Sequence, residues 1–253
     1  MWKLKDDCSE AIIRARDQIN IKNGCRLCLP ETAIVFFMSV GVDYLCQTQK
    51  AKLLPEPFPR FLNRCPVWEI PEMGLCFLDG GRGAPQAADT METLNVLGVR
   101  NVVAVGMCGA FDRKVAPGDI IIPNKAFVEE GTSLHYYEQI DNAQPDEDLL
   151  SLAASMQIGK SFPTVSTDAV YRQTFEKERL WREKGAVGVD MECSAVFSVS
   201  RYLGMRAVAL LMVSDIHPEK PEDPRWAWSM TKELRCHLAR QGLALAGRIS
   251  RQS

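Results

Sequence analysis

The unbroken apolar run Ala207-Val208-Ala209-Leu210-Leu211-Met212-Val213, which stops at Ser214-Asp215, constrains this chain most. A run of this length without polar alternation reads as a strand covered on both faces, the kind found at the centre of an α/β sheet. Upstream, Gly188-Val189-Asp190-Met191-Glu192-Cys193-Ser194-Ala195 sets a second carboxylate, Glu192, where another strand should end. Ligands of open α/β sheets sit beyond the carboxyl ends of strands, so two acids on successive strands suggest a site. A Glu grips sugar hydroxyls, and a buried Asp hands a proton to a leaving group.

Other segments repeat the pattern. Thr32–Phe37 and Leu75–Leu78 read as buried strands, the second closed by Asp79-Gly80-Gly81-Arg82-Gly83. Ala84 to Leu97 carries helical spacing at Ala87, Met91, Leu94 and Leu97, and Gly98 stops it. Asn101–Val105 is a third strand, ending in Gly106-Met107-Cys108-Gly109-Ala110, and Asp119–Pro123 a fourth. A helix over 191–203 ends at Gly204, and the last 25 or so residues form one more amphipathic helix. Residues 1–24 read as a lead-in helix stopped at Asn23-Gly24, and residues 141–149 as an acidic surface loop. Strands alternating with helices imply a mixed, mostly parallel central sheet flanked by helices, an α/β single-domain three-layer fold over residues 1–253.

Charge and cysteine usage narrow the function classes. The net charge of −2 gives no electrostatic footprint for nucleic acid or membrane. No apolar run reaches the ~18 residues of a membrane helix, and Met1–Asp7 lacks the apolar core of a signal peptide. The nine cysteines are scattered, several in apolar runs, as expected of reduced thiols in a cytoplasmic protein. Cys25 and Cys28 form one C-x-x-C without a second pair at zinc spacing, so no metal is expected.

Five segments, in this order, resemble the nucleoside phosphorylase family that includes uridine phosphorylase, hexameric purine nucleoside phosphorylase and the methylthioadenosine nucleosidases. They are Gly80-Gly81-Arg82-Gly83-Ala84-Pro85, Gly106-Met107-Cys108-Gly109-Ala110, Glu129–Tyr136, Ser166–Arg172 and the block from Val189 to Asp215. The resemblance implies a phosphorylase-like fold and cleavage of an N-glycosidic bond. Glu192 resembles the family's ribose-binding glutamate, and Met191 the methionine packed on the sugar; Met107 lies with them. Asp215 resembles the aspartate that protonates or hydrogen-bonds N7 of a departing purine, with Ser214 orienting it. Tyr171 or Val170 would line the base. His135 is similar to a histidine near the family's sugar pocket, whereas His217 and His237 read as surface residues.

The chain departs from that family at the phosphate. The phosphorolytic members carry a Gly-Asp-Pro-x-Arg loop after the first strand; here the region is Met38-Ser39-Val40-Gly41-Val42-Asp43-Tyr44. Ala104 and Met107 stand where an Arg and a hydroxyl residue are expected. Arg82, and Arg64 lent by a neighbouring subunit, are the candidate replacements, with backbone at Gly41 and Gly106. Thr174 and Glu176 occupy the place of a uracil-reading Gln-x-Arg pair, which favours a purine. The leading expectation is phosphorolysis of a purine nucleoside. Uridine phosphorolysis, hydrolysis with water as acceptor, and a non-catalytic nucleoside-binding protein are the alternatives. No cofactor is expected beyond inorganic phosphate as co-substrate, and the resemblance implies a homo-oligomer, dimer or hexamer.

Overall fold

The structure is a computed structural model that describes residues 9–17, 19, 27–224 and 226–252. The predicted lead-in helix over 1–24 and Cys25 fall largely outside the described residues. Strands β1 (Thr32–Phe36), β4 (Leu75–Asp79), β5 (Asn101–Ala110) and β10 (Arg206–Ile216) form the parallel spine, with β1 between β4 and β5 and β10 on the other side of β5. Antiparallel β3 (Val67–Ile70) and β2 (Lys52–Leu53) extend it beyond β4.

On the far side the sheet curls. Strands β6 (Ile120–Glu129), β8 (Lys160–Thr167) and β9 (Gly188–Asp190) continue from β10, and β9 pairs back onto β5. Thus β5, β10, β6, β8 and β9 close into a ring. The sequence pattern does not announce this closure, because strand alternation carries no information on which strands meet. The long ladders are parallel, and the antiparallel ones span only two to four residue pairs.

Two apolar layers sandwich the spine. In β5, Val102 and Ala104 face the core shared with helices α2 (Ala84–Val96) and α5 (Cys193–Tyr202), while Val103 and Val105 face the opposite core. That second core is filled by α1 (Ser39–Thr48), α3 (Glu147–Ser155) and α6 (Lys232–Ser250). The period of two along each strand feeds both layers, which is why the strand sequences are apolar throughout. A smaller cluster of Phe111, Val165, Trp181, Ala186 and Val189 seats helix α4 (Phe175–Glu183).

Three local expectations are corrected. The strand expected to end at Val105 runs on through Gly106–Ala110, which continue β5 and pair with β10 and β9. Its glycines serve close side-chain approach instead: a Cβ at Gly106 would meet Leu211 at 3.3 Å. Residues 141–149 are not a loop: Asn142–Ala143 pairs with β6 as β7, and Asp146 caps α3 by accepting from the Leu149 amide at 3.0 Å. The acidic character there reflects a capped helix N-terminus. Finally, the strand predicted to stop at Pro123 runs on to Glu129, with an irregularity between Pro123 and Lys125 that accommodates the missing amide.

Candidate active site

One cavity of about 670 Å³ opens where the carboxyl-terminal parts of β5, β9 and β10 meet, and it contains both acids singled out by the sequence. The local sequence explains how Glu192 comes to face it. Asp190 ends β9 and accepts hydrogen bonds from the amides of Glu192 (3.2 Å) and Cys193 (2.7 Å), capping α5. Its other oxygen accepts from Ser166 Oγ at 2.5 Å. With the cap supplied two residues earlier, Glu192 is released from helix duty and turns into the cavity. There Oε1 accepts the Gly83 amide at 2.6 Å. Glu192 is only 8% exposed. Burial, then the charge of Asp190, push its pKa up to about 7, against the opposing pull of Gly83 and Arg82. Asp190 is itself raised by burial, with hydrogen bonds from Cys193 and Ser166 acting the other way.

Asp215 is placed by a bulge. The β10–β5 register slips between Val213 and Asp215, leaving Ser214 as the extra residue. Bulges re-aim side chains near sites, and here Ser214 and Asp215 both reach the cavity. Asp215 is 2% exposed. Ser214 Oγ contacts Asp215 Oδ1 and lies 3.1 Å from the Cys108 carbonyl, while the Trp226 indole N–H donates to Asp215 Oδ2.

His217 is a correction to the sequence reading, which left it on the surface. Its ring is largely buried at the cavity wall. Nδ1 lies 2.6 Å from Glu178 Oε1 and Nε2 3.2 Å from Asp215 Oδ2. Burial favours the neutral ring, but the hydrogen bonds and charges of Asp215 and Glu178 outweigh it and push the pKa up to about 9. Gly109 makes room for this ring: a Cβ there would lie 2.4 Å from His217 Nε2.

The family model of the phosphorylase superfamily matches residues 71–240, the span that carries all of these groups. The chain belongs to the phosphorylase superfamily. It is 33% identical over 138 residues to a guanosine phosphorylase of Halorubrum lacusprofundi, covering 53% of this chain and 57% of that one. It is 32% identical over 130 residues to a DeoD-type purine nucleoside phosphorylase of Clostridium beijerinckii, covering 49% and 55%. The matched region therefore spans a little over half the length of these curated relatives. The fold is similar to that of a Toxoplasma gondii purine nucleoside phosphorylase (TM-score 0.75, 17% identity, 97% of this chain and 98% of that one). It is also similar to that of a Vibrio fischeri uridine phosphorylase (TM-score 0.73, 21% identity, 88% and 93%).

Within this phosphorylase superfamily member, Glu192, Met191, Met107, Ser214, Asp215 and Arg82 share the cavity. Val170 and Tyr171 line its rim from a single turn of 3-10 helix, and Tyr171 is 96% exposed. They border the opening and do not form an enclosed base slot. Gly41, Gly106 and Arg64 do not line the cavity. Gly41 sits inside α1, where a Cβ would lie 2.2 Å from the Phe36 ring, so it is a packing glycine and not part of an anion loop. Gly106 is a buried strand residue, and Arg64 lies exposed in the segment before β3. His135 is exposed and does not line the cavity. Thr174 lines the cavity while its hydroxyl caps α4, and Glu176 pairs outward with Arg179.

Sequence reasoning missed Glu178, Trp226, Trp228 and Phe175 in the lining. The two tryptophans stand two residues apart after Pro218, Pro221 and Pro224, an aromatic pair in a segment otherwise suited to solvent. Glu178 gives no signal, because its helix α4 reads as a charged surface helix.

Among the described residues, Arg82 is the arginine that lines the cavity. It is half exposed, lies 3.4 Å from Asp79 and donates to the Gly81 carbonyl. Against it stand the carboxylates of Glu178, Asp190, Glu192 and Asp215.

Proposed function

We propose that this protein cleaves the N-glycosidic bond of a purine nucleoside. The observation that carries the reading is the pairing, in one cavity, of a buried Glu192 with a buried Asp215 that already exchanges hydrogen bonds with Ser214, Trp226 and His217. Glycosidic cleavage builds positive charge on the sugar and negative charge on the base. Glu192 answers the first need by accepting hydrogen bonds from ribose hydroxyls, and its charge lies near the developing cation. Asp215 answers the second by protonating or hydrogen-bonding a purine nitrogen. Met107 and Met191 supply apolar contact, and Trp226 and Trp228 offer ring faces for the base.

Similarity to a guanosine phosphorylase and to purine nucleoside phosphorylases favours phosphate as acceptor, with Arg82 as its ligand in this chain. Water as acceptor is the second reading, and one observation favours it. Among the described residues, the cavity sets four carboxylates against Arg82, half exposed and drawn to Asp79, and His217, whose ring is already engaged by two of those acids, a poor electrostatic setting for a dianion. Product analysis decides between them. Inosine, guanosine, adenosine and uridine are incubated with and without phosphate, and free base, ribose and ribose 1-phosphate are separated. Purine release that requires phosphate supports the first reading, and phosphate-independent release of ribose the second. Cleavage of uridine alone overturns the purine assignment.

A further inference from the structure

We propose that His217, bridged between Glu178 and Asp215, is a positioning residue that supplies the proton which Asp215 passes to the departing base. The proposal rests on the purine-nucleoside reading above and adds the origin of the proton to it.

The geometry has three independent parts. First, the imidazole is held at both nitrogens, Nδ1 by Glu178 at 2.6 Å and Nε2 by Asp215 at 3.2 Å. Second, the three groups come from separate places, Glu178 from α4, Asp215 from β10 and His217 from the segment that leaves β10. The His217 amide is pinned to the Ala110 carbonyl at 2.7 Å, which fixes the ring's base over the end of β5. Third, β5 faces the ring with a glycine, and any side chain at position 109 would strike Nε2. Among the described residues, the charged groups facing the ring are thus Glu178 and Asp215, while β5 presents backbone.

Both ring nitrogens face carboxylate oxygens, which accept hydrogen bonds when ionised, so the ring is satisfied only as the doubly protonated cation. The shift of His217 to about pH 9 agrees with this. The step balances as follows. The Nε2–H bond of His217 breaks and an O–H bond forms on Asp215. That O–H bond breaks as an N–H bond forms on the base, while the electron pair of the glycosidic bond moves to the base. The sugar cation is then taken by the acceptor, phosphate or water. His217, now neutral beside Glu178, regains a proton from water at the cavity wall. Glu178 keeps the ring in the orientation that points Nε2 at Asp215, the role a carboxylate plays toward any imidazole it holds.

The test uses the full chain and its three histidines, whose ring signals are few enough to follow by nitrogen-15 NMR across pH. In the wild type one ring should titrate near pH 9; His217→Gln should remove that titration, and Glu178→Gln should move it to lower pH. On inosine, His217→Gln should lower kcat about 100-fold, within the usual reach of proton-transfer catalysis, with KM little changed. It should also lose the decline in rate above about pH 9. On a 7-methylated purine nucleoside, which leaves without that proton, the same variant should match the wild type. A His217→Gln enzyme with wild-type kcat and pH profile on inosine overturns the proposal. So does a wild type in which all three histidines titrate near 6.5. A wild type that cleaves no purine nucleoside overturns the functional reading and the proton route with it. In that case the NMR titration still reports whether the bridge itself exists.

Discussion

Replacing Glu192 with Gln should make the protein more stable and less active at once. The side chain is buried, and its pKa rises from the ordinary 4.5 to about 7 because burial and Asp190 both oppose its charge. The sign follows from proton linkage. Between 4.5 and about 7 the folded chain holds a proton that the unfolded chain has released. The stability contributed by the neutral acid is therefore complete below 4.5 and is lost as pH rises through about 7. At 1.36 kcal/mol per pKa unit, the loss is about 3 kcal/mol at pH 8. Gln keeps the length of the side chain and an oxygen for the Gly83 amide, but carries no charge. Its amide protons need partners in the cavity, so the net gain is about 1–3 kcal/mol. For a chain of this size that is a rise in Tm of roughly 3–10 °C. Thermal unfolding of wild type and Glu192→Gln at pH 8 and pH 4 measures it, and the gap should shrink to a few tenths of a kcal/mol at pH 4. Turnover on a ribonucleoside should fall about 100-fold or more as the charge facing the sugar is lost. Equal Tm values at pH 8, or a gap that does not depend on pH, would refute the reasoning.

Further outcomes are expected at four positions. Asp215→Asn should cut turnover on inosine by about two to four orders of magnitude and affect a 7-methylated purine nucleoside much less; equal losses on both, measured by base release, make Asp215 a structural residue. Gly109→Ala should displace His217, since the added methyl would lie 2.4 Å from Nε2; a cost of about 1–3 kcal/mol in chemical denaturation is expected, with loss of the high-pH histidine titration. Arg82→Ala should raise the KM for phosphate about 10-fold if phosphate is the acceptor, and an unchanged value in steady-state kinetics removes Arg82 from anion binding. The raised pKa of His217 contributes stability that is full below about 6.5 and lost as pH rises through about 9; the denaturation midpoint of the wild type should therefore approach that of His217→Gln between those limits.

The two acids were legible because strand ends are marked by chemistry that survives in one dimension. Val213 is the last of seven apolar residues, and Ser214-Asp215 breaks the run. Glu192 was legible for the same reason, although its neighbour Asp190, not Glu192 itself, turned out to cap the helix. Gly41 misled because a glycine after a strand looks the same whether it serves an anion or a phenyl ring. Only the position of Phe36 separates the two. His217 was lost because its partners are 39 residues upstream and two residues back, and neither separation signals contact. Ring closure of the sheet hid for a related reason, since β9 is three residues long and its pairing with β5 spans about eighty positions.

The short strand β9 and the long strand β10 both hydrogen-bond to β5, one on each side. Glu192 follows the first by two residues, and Asp215 sits one residue before the end of the second. A single strand thus acts as the common datum for the two acids of the cavity. A tilt or slide of β5 carries both carboxylates with it and leaves their separation nearly unchanged. The span between the two acids is thus set by strand pairing, and not by the surrounding helices or the tryptophan segment.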